Sequence, residues 1–151
     1  MHDERSRPLQ LDLPRLVAAL QALDCVDYAW LFGSRATGKA RADSDVDLAI
    51  GLTGGAALEP LSPTHERILR ALDGIVPNER MDLVALTHAT PTALRHQVFK
   101  HGKLLFAKTQ DQLVPLRVAT AREWGDGQAR REDYWKTIKK HIERRAWPTP
   151  Q

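Results

Sequence analysis

The sequence predicts an α+β (mixed α/β) domain: a small mixed sheet with flanking helices and a C-terminal helical tail. Two observations lead there. Apolar runs of strand length, at residues 26–32, 45–50 and 80–86, alternate with segments whose apolar residues recur at helical spacing. After residue 107 only helical signals remain. The strands are too few and too short for a large doubly wound sheet.

In chain order, residues 1–11 show no periodicity and read as a mobile arm. Asp12 is placed to cap a helix carrying Leu16, Val17, Leu20 and Leu23, with Pro14 tolerated in its first turn. Residues 26–32 form a buried strand, with Trp30 in the core, that stops at Gly33. Ser34 then caps one or two helical turns through residue 40. The second strand, 45–50, runs into a flexible connection from Gly51 to Gly55. Ser62-Pro63 starts a helix with Ile68, Leu69 and Leu72 on its apolar side, ended by Gly74. A third strand follows at 80–86. Thr90-Pro91 caps a helix with the pair Leu94 and Val98, stopped by Gly102, and residues 103–107 are short and β-like. Leu113, Leu116 and Trp124 mark a further helix broken at residues 125–127. A last one, about 130–145, carries Trp135, Ile138 and Ile142.

Composition bounds the class. A chain of 151 residues, 42% apolar and 27% charged, is one ordinary globular domain. Its single cysteine, Cys25, excludes an intrachain disulfide and reads as a packed small residue. The charged first residues carry no apolar signal core, and no apolar run is long enough to cross a bilayer, so the expected location is the cytoplasm. Net charge is +3, and residues 115–151 hold nine basic against five acidic side chains. Such a tail suits an acidic or nucleic-acid partner as well as it suits a solvated helix face. The six histidines show no metal-ligand spacing and read as surface residues. Trp124, Trp135 and Trp147 read as core of the tail, with an interface anchor as the alternative.

The chemistry concentrates in residues 31–50. Strand period sends Val46, Leu48 and Ile50 to one face and Asp45 and Asp47 to the other, about 7 Å apart. Two like charges so placed repel unless a cation lies between them, and a hard divalent ion is the natural one. The plain alternative is a pair of solvated acids on an edge strand. Gly33-Ser34, closing the preceding strand, offers backbone N–H groups and a hydroxyl to a phosphate. Asp82 on the third strand joins the pair if the strands meet in one sheet; otherwise it is an exposed acid paired with Arg80. Arg35, Lys39 and Arg41 either steer a triphosphate or a partner, or face water. Three carboxylates opposite a phosphate-binding turn are the parts of two-metal phosphoryl or nucleotidyl transfer.

Gly33-Ser34, ten residues, then Asp45-Val46-Asp47 resembles the signature of the polymerase-β-like nucleotidyltransferase superfamily. The wording from Phe32 to Leu48 is especially similar to its small bacterial branch, the minimal nucleotidyltransferase (MNT) proteins, and the likeness extends through Asp82 to residues 98–106. The resemblance implies a small mixed sheet of the polymerase-β-like type, spanning residues 12–107, with 108–151 as a tail for partner docking or dimerisation. It implies ATP as substrate, two Mg2+ ions on Asp45, Asp47 and Asp82, and a nucleotide held by Gly33, Ser34 and Arg35. Many MNT proteins are antitoxins paired with HEPN-domain ribonuclease toxins, so the implied activity is transfer of AMP to a hydroxyl, a tyrosine in particular, of a HEPN-type toxin. The chain leaves too little after Phe106 for an acceptor domain, which favours a protein acceptor over nucleic acid. The alternatives are an antitoxin that acts by binding alone and a transferase for an antibiotic or an RNA end.

Overall fold

A computed structural model describes residues 9–40, 44–126 and 138–140. Helix α1 (Leu13–Gln21) leads to strand β1 (Val26–Phe32) and the short helix α2 (Ser34–Thr37). Strand β2 (Val46–Leu52), helix α3 (Pro63–Leu72) and strand β3 (Met81–Ala85) follow. Helix α4 (Thr92–His101), strand β4 (Lys103–Ala107) and helix α5 (Leu113–Asp126) complete the described core. The strands form one mixed sheet in the order β3-β2-β1-β4. β2 and β4 flank β1 antiparallel, whereas β3 pairs with β2 in parallel. The expected α+β architecture with flanking helices is therefore present.

Strand alternation sorts the core into two layers. Ala29, Leu31, Val46, Leu48 and Ile50 pack against Leu16 and Leu20 of α1 and Ile68 and Leu72 of α3. Tyr28, Trp30, Phe32 and Ala49 pack on the opposite side, against Leu94 and Val98 of α4 and Leu113 and Leu116 of α5. Each fully buried Leu or Ile contributes about 1.5–3 kcal/mol, so β1 and β2, covered on both faces, anchor the molecule. The helix starts follow the sequence signals in two cases: Asp12 accepts from the Arg15 N–H, and Ser62 accepts from the His65 N–H.

Elsewhere local reading and structure part. Gly33, not Ser34, is the N-cap of α2, and no side chain caps it. Pro91 occupies the N-cap of α4, while the Thr90 hydroxyl donates to the Ala85 carbonyl and accepts from the Thr87 N–H. Gly51, expected in a flexible connection, lies inside β2 opposite Tyr28. The α5 helix includes Gly125 and ends at Asp126, within the break expected at 125–127, beyond which the described residues stop. His96, read as a lone surface histidine, stacks on Trp124 with ring centroids 3.9 Å apart. Trp124 is half-buried rather than core. Residues 138–140 are helical; the remainder of the helix expected over about 130–145, with Trp135, and also Trp147 lie outside the described residues.

Arg95 is the element sequence reading missed. It sits on the buried face of α4, 2% exposed. Its guanidinium donates to the Thr90 carbonyl (2.8 Å), the Thr120 hydroxyl (2.9 Å) and the Glu123 carboxylate, tying α5 onto α4. The Thr92 hydroxyl, and then Arg95, hold the Glu123 carboxyl below its ordinary value.

The absent side chain at Gly51 makes room for an aromatic ring: a Cβ there would lie 2.0 Å from Tyr28 Cε1. Gly51→Ala should therefore destabilise the domain by about 1–3 kcal/mol, read as a lowered urea midpoint with an unchanged m-value.

Candidate active site

The register of the central strands decides where the acids sit. Asp47 is opposite Phe32 across the antiparallel β1–β2 pair and opposite Asp82 across the parallel β2–β3 pair. Paired residues on neighbouring strands share a face and lie about 5 Å apart. Val84, two residues beyond Asp82, packs with the Trp30 layer, so Asp82 and Asp47 belong to that side of the sheet. Asp45 immediately precedes β2 and has the parity of Asp47. All three acids thus come to one face at one end of the sheet.

Burial separates them from ordinary surface acids. β2 is an internal strand, not an edge, and Asp47 is 0% exposed. Asp45 keeps 28% of its side-chain surface and accepts a 3.1 Å bond at Oδ1 from Arg80 Nε. Arg80 is only 3% exposed, and its Nη2 also donates to the Ser44 carbonyl at 3.4 Å. The Arg80–Asp45 bond joins the chain just before β3 to the chain just before β2. Parity alone could not have shown this, because the two residues are 35 positions apart.

Gly33 follows the last residue of β1, beside the same end of the sheet. Its φ of 75° and ψ of −157° lie in a region open almost only to glycine, and they turn the chain from β1 into α2. The N–H groups of Ala36 and Thr37 already return to the Gly33 carbonyl. Ser34 is half-buried at the start of α2. Arg35, grouped with Gly33 and Ser34 as a nucleotide ligand, has its guanidinium on backbone. Nε and Nη2 donate to the Ser44 carbonyl at 3.0 and 2.7 Å, and Nη2 donates to the Leu9 carbonyl at 3.0 Å. Partial burial, and then the positive charge of Arg80, hold Arg35 below its ordinary value; Asp45 and Asp47 act the opposite way. Two guanidinium groups therefore converge on Ser44, the residue before Asp45.

Carboxylate oxygens are the donors that magnesium takes, and a buried acid beside a second acid has a use for such a cation. The set fits magnesium in kind and in register. It is not drawn together, however: among the described residues, no three His, Cys, Asp or Glu side chains are gathered as a metal-holding group. One pocket, lined by Tyr28, Thr87, His88 and Gln112, lies at the opposite end of β1. No helix of the described residues is long and apolar enough to cross a membrane.

The polymerase beta nucleotidyltransferase family matches residues 15–111, a span that holds the Gly33-Ser34 turn and all three acids. The chain belongs to that family. No curated protein matches it. Among solved structures it is similar to a toxin–antitoxin determined with AMP-PNP, at 25% identity and a TM-score of 0.61, covering 85% of this chain and 99% of that one. It is also similar to the MNT antitoxin in complex with the tri-AMPylated HEPN toxin of Shewanella oneidensis, at 23% identity and a TM-score of 0.54. That match covers 84% of this chain and 95% of the other. A further likeness is to the MntA–HepT toxin–antitoxin, at 23% identity and a TM-score of 0.53, covering 84% and 96%. These last two likenesses speak for the fold alone. The sequence resemblance to polymerase-β-like nucleotidyltransferases thus agrees with both comparisons.

Gly33→Ala puts a Cβ where the backbone conformation resists one. It should cost about 1–3 kcal/mol of stability and weaken binding of a fluorescent ATP analogue, whereas Gly38→Ala, outside the turn, should leave that binding unchanged.

Proposed function

We propose that this chain is the antitoxin of a HEPN/MNT pair and that it transfers AMP from ATP to a tyrosine hydroxyl of its HEPN ribonuclease toxin. One observation carries the reading: the β2–β3 register that sets Asp82 beside Asp47, on the strand face and at the sheet end where β1 turns at Gly33-Ser34. The likeness to a toxin–antitoxin bound to AMP-PNP, an ATP analogue, supports the substrate. The AMPylated toxin of a structurally similar pair supports the acceptor.

In this mechanism Asp45, Asp47 and Asp82 would hold magnesium, as a pair of ions, which would neutralise the triphosphate and lower the pKa of the acceptor hydroxyl. The Ser34 hydroxyl and the N–H groups of the Gly33-Ser34 turn take the β- and γ-phosphates. Arg35 fixes that turn to the strand carrying the acids and adds positive field near the phosphates. Asp82 accepts the proton of the tyrosine hydroxyl. The phenolic oxygen bonds to the α-phosphorus as the bond to the β-phosphate oxygen breaks, and pyrophosphate leaves in line. The chain contributes alignment and field more than covalent chemistry. Residues 12–107 are the transferring unit in this reading, and 108–151, whose helix α5 packs on α4, the part that docks the toxin.

The test is transfer to the toxin encoded beside this chain. Label from α-phosphate-labelled ATP should appear on the toxin, and label from γ-phosphate-labelled ATP should not. An Asp45→Asn, Asp47→Asn double variant should reduce transfer at least about a hundredfold. Neutralisation of the toxin by that variant as well as by wild type would instead mean inhibition by binding.

A further inference from the structure

At the far end of the sheet, a cavity of about 300 Å³ is bordered by the start of β1, the chain after β3, the Gly54-Gly55 turn and the first turn of α5. Tyr28 lies four residues before Phe32, the partner of Asp47, so the cavity is about 13 Å along the strand from the acids. Leu86, Leu116 and the Tyr28 ring give it apolar walls. Tyr28 is 2% exposed, yet its hydroxyl has no hydrogen-bond partner among the described residues. Its backbone is paired to β2 and β4, so the ring, which crosses Gly51, is the part that borders the cavity. Gln112 Nε2 donates to Asp27 Oδ2 at 3.3 Å, which leaves Oε1 as an acceptor, 3.4 Å from where a Cβ on Gly55 would stand. The Asp111 N–H donates to the Thr109 hydroxyl, and the Asp111 carboxylate makes no hydrogen bond or ion pair among the described residues. The charge of Asp27 is felt here too: burial, and then Asp27, push Tyr28 up to about 12, so its hydroxyl stays neutral at physiological pH. Among the described residues no lysine or arginine lines the cavity; His88 does, and water screens it at the exposed rim.

We propose that this cavity is a ligand site remote from the acids, and that it takes a small organic ammonium ion with a compact apolar body. An ammonium group carries three donors and no acceptor, which matches the Asp111 carboxylate, Gln112 Oε1 and the Tyr28 hydroxyl oxygen. The apolar body packs on Leu86 and Leu116, and the face of the Tyr28 ring adds its own attraction for a cation. Other ligand classes fit less well. The N-terminus of α5 favours an anion with about half a unit of positive charge, but Asp111 and Asp27 set two negative charges against it. A neutral apolar molecule would leave the buried Tyr28 hydroxyl without a partner, at a cost. A bare divalent ion needs several oxygen ligands and meets apolar walls on the other sides. The site does not depend on the nucleotidyl-transfer reading, since it shares no residue with the acids or the Gly33-Ser34 turn.

The probe is benzylammonium, with benzyl alcohol as its neutral isostere, followed by amide NMR shifts on the isotope-labelled full chain. Benzylammonium should move the signals of Gly55, Asp111 and Gln112. It should also bind at least about tenfold more tightly than benzyl alcohol, as a charge-assisted bond to a carboxylate implies. Equal binding of the two, or shifts that miss those residues, would overturn the proposal. Asp111→Asn, a change at an exposed side chain, should weaken benzylammonium about tenfold and leave benzyl alcohol unchanged. Undiminished binding of benzylammonium by this variant would overturn the proposal as well. Tyr28→Phe keeps the ring and removes the hydroxyl, and should weaken benzylammonium about threefold. The shifts should persist when AMP-PNP is present at saturation; their loss would put the cation at the acids and not in this cavity. The neutral isostere and Asp111→Asn decide the matter even where Tyr28→Phe does not fold.

Discussion

Parallel pairing of β3 with β2 is the constraint on which this molecule turns. It sets Asp82 opposite Asp47, an acid with no solvent exposure on an internal strand. Two carboxylates on adjacent strands repel, and burial strengthens the repulsion by removing water's screening. Such an arrangement costs stability unless cations or donors are supplied to it. Two buried cores on either side of β1 and β2 hold the strands rigidly enough to carry that cost.

The structure supplies the cations from two directions. Arg80, immediately before β3, reaches across to Asp45, and Arg35, in the first turn of α2, reaches the carbonyl of Ser44. Both fix the chain where it enters β2, so the acid-bearing strand and the Gly33-Ser34 turn keep one relation to each other. That rigidity suits a site whose catalytic contribution is alignment. In the reading proposed above the arrangement serves nucleotidyl transfer, and membership of the polymerase beta nucleotidyltransferase family supports that reading.

Much of this was legible in the chain itself. The apolar runs of β1, β2 and β3 and the paired stripes of α1 and α3 stood out because each is a local, periodic pattern. The alternation of Asp45 and Asp47 with Val46 and Leu48 put both acids on one face without any structure. What escaped was non-local. Arg80 and Asp45 are brought together by strand register, and no spacing encodes that. Arg95 carries no local signal of burial, and only the approach of Thr120 and Glu123 on α5 makes its burial possible. Gly51 looked like part of a loop because glycine usually breaks strands, yet here the Tyr28 ring occupies the space beside it. Ser34 has the residue type of a cap, but Gly33, with its unusual dihedrals, holds that position.

The central claim is that Asp45, Asp47 and Asp82 jointly receive a divalent cation opposite a triphosphate held at Gly33-Ser34. A crystal of the chain grown with Mn2+ and AMP-PNP, with anomalous scattering used to locate manganese, tests it most directly. Manganese liganded by the three acids and by the triphosphate, with phosphate oxygens against the Gly33-Ser34 turn, is the expected result. Manganese liganded by the nucleotide alone, or a triphosphate seated away from that turn, would contradict it.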